Sequence, residues 1–317
     1  MHLFWESFID PLLEATGPKH HIVEIGSSSG VNTKNILSYC KKSDSKCTVI
    51  DPLEIGNIDD IRNDLKVYGT QIKGLSLDVL ESTSPGSSYL IDGDHNYYTV
   101  INECRAILAI AQKNRGKFPI VFFHDVDWPY ARRDLYYNKS TIPQNEAQPS
   151  GTGGLFPGVR EQVKNEGLNA GQDNALVEGG PKNGVLTGIE DFITENRTTY
   201  QFVFFKLPSF HGLGVLIDKK NYDEKTLEKI KHIIMPEARI TAYLRELESF
   251  RIQDLTMLLT EKTKLVNMYG ALYQELVAER TQHEALKRKG IKQQIFSKMK
   301  LALKNTFAKR VSLKEPS

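Results

Sequence analysis

The chain has 317 residues, 40% apolar and 25% charged, with a formal net charge of +2. That length accommodates one full domain with an extension, and so small a charge excludes the strong basic footprint of a nucleic-acid binder. Three cysteines, Cys40, Cys47 and Cys104, form no CxxC pair, residues 1–6 lack the regions of a signal peptide, and no run of 18 apolar residues occurs, so a cytoplasmic chain with no membrane span is expected.

Between residues 20 and 125 short apolar runs alternate with helical patterns. Strands are predicted at 21–25, 48–50, 74–77, 88–91 and 120–123, and helices at 32–40, 59–68 and 98–112. Continuous apolar runs suit parallel strands covered on both faces. Repeated βα units predict an α/β chain with a Rossmann-like, doubly wound, mostly parallel seven-stranded sheet, which strands at 200–206 and 212–218 complete within a domain of residues 1–220. Residues 127–199, rich in Pro, Gly and Asn and holding one helix at 185–195, read as an insertion that serves as a lid or substrate loop.

A long C-terminal helical extension follows, with an arm at 221–290 in which Leu258, Leu265 and Leu272 recur every seven residues. Two readings stand: a coiled-coil arm that makes a homo-oligomer, or a helix folded back on the domain. From Lys287 to Arg310 there are nine Lys or Arg and no Asp or Glu, with Phe296, Met299, Leu303 and Phe307 at helical spacing. The tail at 291–317 is therefore expected either to lie peripherally on the anionic inner face of a membrane or to be a solvated end.

The first strand runs through Glu24 and Ile25 into Gly26-Ser27-Ser28-Ser29-Gly30 before a helix. Glycine lacks the Cβ that would keep a ligand from the backbone. The spacing is G-x-x-x-G rather than G-x-G-x-x-G, so a pyrophosphate cradle is poorly supported, and Glu24 points to a cationic amino-acid moiety instead. Asp51 closes the next strand 21 residues past Gly30, where a carboxylate can accept ribose hydroxyls. Asp78, read as the end of the third strand, is placed to touch an adenine. Either Asp taken alone serves as well for a helix cap.

Asp92, Asp94 and His95 follow the fourth predicted strand, and His124, Asp125 and Asp127 the fifth. Both groups should emerge at the carboxyl edge of neighbouring strands, where ligands sit in open α/β sheets. Carboxylates joined by an imidazole suit Mg²⁺ or Mn²⁺, a bound cation eases deprotonation of a hydroxyl, and histidine accepts protons near pH 7. The other reading has Asp92 and Asp94 capping the helix that begins near Tyr97.

Taken together, Val23-Glu24-Ile25-Gly26-Ser27-Ser28-Ser29-Gly30, Val49-Ile50-Asp51 and Tyr89-Leu90-Ile91-Asp92-Gly93-Asp94-His95 resemble the class I S-adenosylmethionine-dependent methyltransferases, over roughly residues 18–218. The resemblance implies S-adenosyl-L-methionine as cofactor, with Glu24, Gly26 and Gly30 at its methionine part, Asp51 at the ribose and Asp78 at the adenine end, and with Ser27 and Asp92 also among the cofactor-binding residues. Asp92 through His95 is similar to the D-x-x-H of metal-dependent sugar and small-molecule O-methyltransferases. That likeness implies Asp92, His124 and Asp125 as ligands of a divalent metal and His95 as general base, although His124 stands where those relatives have a carboxylate.

The insertion is similar to that of bacterial methyltransferases of surface-polysaccharide assembly, which alone suggests a sugar or glycan acceptor. Asp94, Trp128, Tyr130, Arg132 and Arg133 are expected to meet it, since aromatic faces and Arg forks suit sugar rings and anionic groups. Two other readings remain. Asp92-Gly93-Asp94 matches the D-x-D of a nucleotide-sugar glycosyltransferase, which leaves the glycine loop unexplained, and the fold could be a non-catalytic scaffold.

Overall fold

The computed structural model of the chain describes residues 1–53, 59–114, 116–235 and 238–311. Short helical turns at 2–9 lead into α1 (Asp10–Thr16) and the strand β1 (His21–Ile25). Then come α2 (Val31–Ser43), β2 (Lys46–Asp51), α3 (Asp59–Tyr68), β3 (Gly69–Lys73), α4 (Ser76–Val79), β4 (Ser88–Ile91), α5 (Tyr97–Lys113) and β5 (Ile120–His124). The insertion holds β6 (Leu135–Tyr136), β7 (Ser150–Thr152), β8 (Asp173–Ala175) and α6 (Val185–Asn196), after which β9 (Phe202–Leu207), β10 (Leu213–Asp218), α7 (Glu224–Ile234) and α8 (Ala238–Val311) finish the chain.

Seven strands form one sheet in the order β3-β2-β1-β4-β5-β10-β9. β1 to β5 pair in parallel, and β10 runs antiparallel to both β5 and β9. The expected Rossmann-like sheet is therefore present. Its strands alternate faces with a period of two: Ile22, Val49, Leu90, Phe122 and Val215 pack with α1, α2 and α7, while Val23, Ile50, Ile91, Phe123 and Leu216 pack with α5 and α6. Burial on both faces explains why these strands read as unbroken apolar runs.

The third strand is a correction. It was expected at 74–77 but lies at Gly69–Lys73, in register from Cys47↔Gly69 to Asp51↔Lys73. As an edge strand it is only half buried, so it needs no apolar run, and Gly69 is required because a Cβ there would lie 2.4 Å from Cys47 Sγ. The 74–77 segment instead turns into α4.

The chain divides into two compact units, Met1–Thr260 and Glu261–Ser317. In the first, β6, β8 and β7 make a small antiparallel sheet, and Tyr130, Leu135, Leu155 and Leu168 pack with Leu255 and Leu259 of α8. The insertion is thus a packed layer with its own core. Arg133, 1% exposed, holds it by donating to the carbonyls of Ala175 and Arg160 at 2.5 Å each.

The second unit continues α8, with Leu265, Met268, Tyr269, Leu272 and Leu276 exposed. Of the predicted basic tail, Ile291, Ile295, Phe296 and Met299 are exposed; the side chains at 302–311 and all of 312–317, which include Leu303 and Phe307, lie outside the described residues. Among the described residues, no helix is long and apolar enough to cross a membrane.

Candidate active site

The loop after β1 is shaped by two glycines in left-handed backbone, Gly26 at φ +83° and Gly30 at φ +79°. A Cβ on Gly26 would meet the Asp92 carbonyl oxygen and Gly93 Cα at 2.4 Å, so the loop presses directly on the tip of β4. Gly30 begins α2 with no side-chain cap. The first amides of the helix are thereby left to an anion such as an amino-acid carboxylate.

Glu24 lies beneath this loop, 1% exposed. Its oxygens accept from Asn32 Nδ2 at 2.7 Å and Thr33 Oγ1 at 2.5 Å. Burial drives its carboxyl up to about 7 against those two hydrogen bonds. Glu24 is thereby a brace between β1 and α2, directly under the loop. Asn32 and Thr33 escaped sequence reading because nothing in their spacing marks a partner in the preceding strand. The Oδ1 of Asn32 is buried without a hydrogen-bond partner.

Asp51 likewise serves the loop. Its Oδ2 accepts from Ser27 N at 2.7 Å, Ser27 Oγ at 3.0 Å and Ser28 N at 3.2 Å, and Oδ1 accepts from Leu53 N at 2.8 Å. Ser28 itself is held at φ +47°. Only Oδ1 keeps an acceptor position to spare. Asp78 is exposed on α4 rather than at a strand tip, because β3 ends five residues earlier.

Beside the loop, the tips of β4 and β5 bring four side chains together. His124 Nδ1 lies 3.2 Å from Asp92 Oδ1 and 2.7 Å from Asp125 Oδ2. His95 Nε2 lies 3.3 Å from Asp125 Oδ2 and 3.7 Å from Asp92 Oδ1. Asp125 adopts φ +58°, an uncommon conformation for a residue with a side chain that needs its surroundings to fix it. The Met1 α-amino group also reaches Asp92 Oδ2, at 3.0 Å.

Charge binds this cluster. Burial disfavours the charged imidazolium of His124, yet Asp92 and Asp125 outweigh it and lift His124 to about 9. Burial would raise Asp92, but His124 and His95 hold it well below the usual carboxylate range. His95 is raised as well, because Asp125 and Asp92 overcome its burial. Both ring nitrogens of His95 are nonetheless buried without a hydrogen bond. The ring sits between Tyr130 and Tyr137, at centroid distances of 5.6 and 5.7 Å.

One ligand atom each from Asp92, His124 and Asp125 falls within 4.8 Å of the others. Ligands at right angles around a cation at about 2.1 Å are about 3.0 Å apart, close to the 3.2 and 2.7 Å from His124 Nδ1 to the two carboxylates, so this donor set fits a small divalent ion once that nitrogen gives up its proton.

Asp94 points elsewhere, accepting from Thr99 Oγ1 at 3.3 Å, and the cap of α5 is Asn96, which accepts from the Thr99 amide. The capping role considered for Asp92 and Asp94 is therefore filled by another residue. Tyr130 is buried, its hydroxyl donating to Asn174 Oδ1 at 3.1 Å. Arg132 forks onto Glu190 at 2.6 and 2.7 Å and, like the buried Arg133, is already committed within the protein. Trp128 is half buried, sharing a cavity wall with Asp127 and His211. Sequence reading also missed Asp134, which accepts from the amides of Tyr97 and Gly184 and so ties the insertion to α5 and α6.

A larger cavity, about 440 Å³, opens at the opposite edge of the sheet among His20, Gly86, Phe118 and Tyr222. It touches neither the glycine loop nor the cluster.

Comparison with known proteins bears on the same elements. Residues 23–126 match the family model described as a methyltransferase domain. No curated protein matches the sequence. Similar solved structures include an SAH-bound methyltransferase of Podospora anserina, at 14% identity and a TM-score of 0.38 over 66% of this chain and 76% of that one. A methyltransferase of Geobacter sulfurreducens shares 9% identity at a TM-score of 0.32, over 66% and 75%. The 1,6-didemethyltoxoflavin-N1-methyltransferase of Burkholderia thailandensis shares 10% at 0.35, over 65% and 76%. The matched segment runs from β1 through the glycine loop to the tip of β5, the parallel part of the observed sheet.

Proposed function

We propose that the protein is an S-adenosylmethionine-dependent O-methyltransferase that acts, with a divalent metal, on a hydroxyl of a sugar or glycan. The observation that carries this reading is the contact of Gly26 with the tip of β4. It sets a loop suited to the donor's amino-acid part against Asp92, His95, His124 and Asp125. The acceptor oxygen attacks the sulfonium methyl, an O–C bond forms as the S–C bond breaks, and the electron pair leaves on sulfur as S-adenosylhomocysteine. The hydroxyl proton passes to His95, whose ring nitrogens have no other hydrogen-bond partner.

A divalent ion held by Asp92, His124 and Asp125 would lower the hydroxyl's pKa and orient it. His95 is a competent base only when the negative charge of Asp92 and Asp125 is offset, since that charge otherwise keeps its proton in place. The glycosyltransferase reading is weaker, because Asp94 turns to Thr99 instead of converging with Asp92.

The exposed leucines of α8 support a second copy of the chain as partner, and the basic residues at 287–300 support peripheral contact with an anionic membrane. Calorimetry with S-adenosylhomocysteine and with a nucleoside diphosphate sugar, each with Mn²⁺ or EDTA, tests the function. Binding of S-adenosylhomocysteine but not the nucleotide sugar supports it, and binding of the nucleotide sugar alone overturns it.

A further inference from the structure

Next to the cluster a cavity of about 190 Å³ opens between the loop after β5, the insertion and the first turns of α8. Asp127, Trp128, His211, Arg245, Glu248 and Ser249 line it. Its inner wall is the active site's own, since the rings of His211 and His124 lie 6.3 Å apart.

The turn that carries His211 is expensive to form. Four consecutive residues, Ser209, Phe210, His211 and Gly212, have φ of +85°, +47°, +70° and +88°, and the first three carry side chains that disfavour it. The α8 helix keeps it in place. Glu248 accepts from the Phe210 amide, Arg251 lies over the Phe210 ring at 5.3 Å, and His211 Nδ1 meets the Trp128 carbonyl at 3.1 Å. That contact occupies Nδ1 and leaves Nε2 as the ring nitrogen open to a ligand.

The charges around the cavity do not cancel. Asp127 pairs with Lys206 at 3.5 Å, and Glu248 takes a two-pronged bond from Arg251 at 2.6 and 2.7 Å. Arg245 has no side-chain hydrogen bond or ion pair among the described residues. A cavity with one aromatic wall, a neutral hydroxyl and a lone guanidinium suits a polar ring that bears an anion.

We propose that this cavity is the acceptor subsite and that the acceptor is an acidic sugar. Its carboxylate or phosphate binds Arg245, its ring lies on Trp128, and its hydroxyl is presented to the cluster past His211. This proposal rests on the methyltransferase reading and names the substrate class for it.

The chain's other tryptophan is Trp5, so the Trp5→Phe protein reports on Trp128 alone by fluorescence. With S-adenosylhomocysteine present, glucuronate or glucose 6-phosphate should change Trp128 emission saturably, and the one that binds more tightly identifies the anion. Neutral glucose at the same concentrations should not. Arg245→Gln should weaken the response about tenfold, the loss expected for a hydrogen bond to a charged group, with S-adenosylhomocysteine affinity by calorimetry unchanged. An equal response to glucose, no response to either anion, or an unaltered Arg245→Gln titration overturns the subsite while cofactor binding persists. If the parent protein fails to bind S-adenosylhomocysteine, the methyltransferase reading falls and the subsite falls with it.

Discussion

Replacing Glu24 by Gln should stabilise the protein at high pH and hardly at all at low pH. The carboxyl is 1% exposed and rises from its ordinary 4.5 to about 7 in the fold. Because the folded pKa is raised, its contribution to stability is complete below the unfolded value. It is lost as the pH climbs from 4.5 to about 7 and is constant above that. At about 1.4 kcal/mol per pH unit, the wild type should lose about 2.5 kcal/mol relative to the variant between pH 5 and pH 8. Glutamine can still accept from Asn32 and donate to Thr33, and any fixed cost of the exchange cancels in the comparison of the two pH values. In thermal unfolding, the variant's advantage should grow by roughly 5–10 °C over that interval. A wild-type-to-variant gap that is the same at pH 5 and pH 8 would refute the buried, proton-holding brace.

Three further changes probe the same region. Gly26→Ala forces a Cβ to within 2.4 Å of the Asp92 carbonyl in left-handed backbone, and should destabilise by about 2 kcal/mol or more in urea titrations; an unchanged midpoint would show that the loop does not press on β4. Asp51→Ala strands the amides of Ser27, Ser28 and Leu53, so it should cost about 1–3 kcal/mol for each that stays buried and weaken S-adenosylhomocysteine binding. Full affinity in calorimetry would remove Asp51 from the cofactor site. A chain ending at residue 286 should leave phosphatidylserine vesicles in a sedimentation assay, each lost cation near the surface being worth about 1 kcal/mol, and equal sedimentation of both chains would exclude the membrane contact.

Fold and site were legible to different depths. β1, β2, β4 and β5 announce themselves because both faces are buried, and the paired apolar residues at 22–23, 49–50 and 122–123 feed two cores at once. β3 lies at an edge and needs no such run, and so its position was misread. That Asp92, His95, His124 and Asp125 meet is legible because strand tips of a parallel sheet converge. The partners of Glu24, Arg132 and Arg133 were not. A carboxylate or guanidinium looks the same in sequence whether it faces a ligand or is spent on Thr33, Glu190 or the Ala175 carbonyl. The entry of α8 into the wall beside His211 depends on contacts between residues nearly forty apart, such as Phe210 with Glu248, and no local pattern encodes them.

The most direct measurement is a crystal structure of the protein grown with S-adenosylhomocysteine and Mn²⁺, with anomalous data collected at the manganese edge. The homocysteine carboxylate should lie at the first amides of α2, its sulfur over Gly26, and an anomalous peak about 2.1 Å from oxygens of Asp92 and Asp125. A ligand lodged in the cavity at the opposite edge of the sheet, or a peak absent from the cluster while the ligand occupies the loop, would contradict that arrangement: the first defeats the cofactor site, the second the metal.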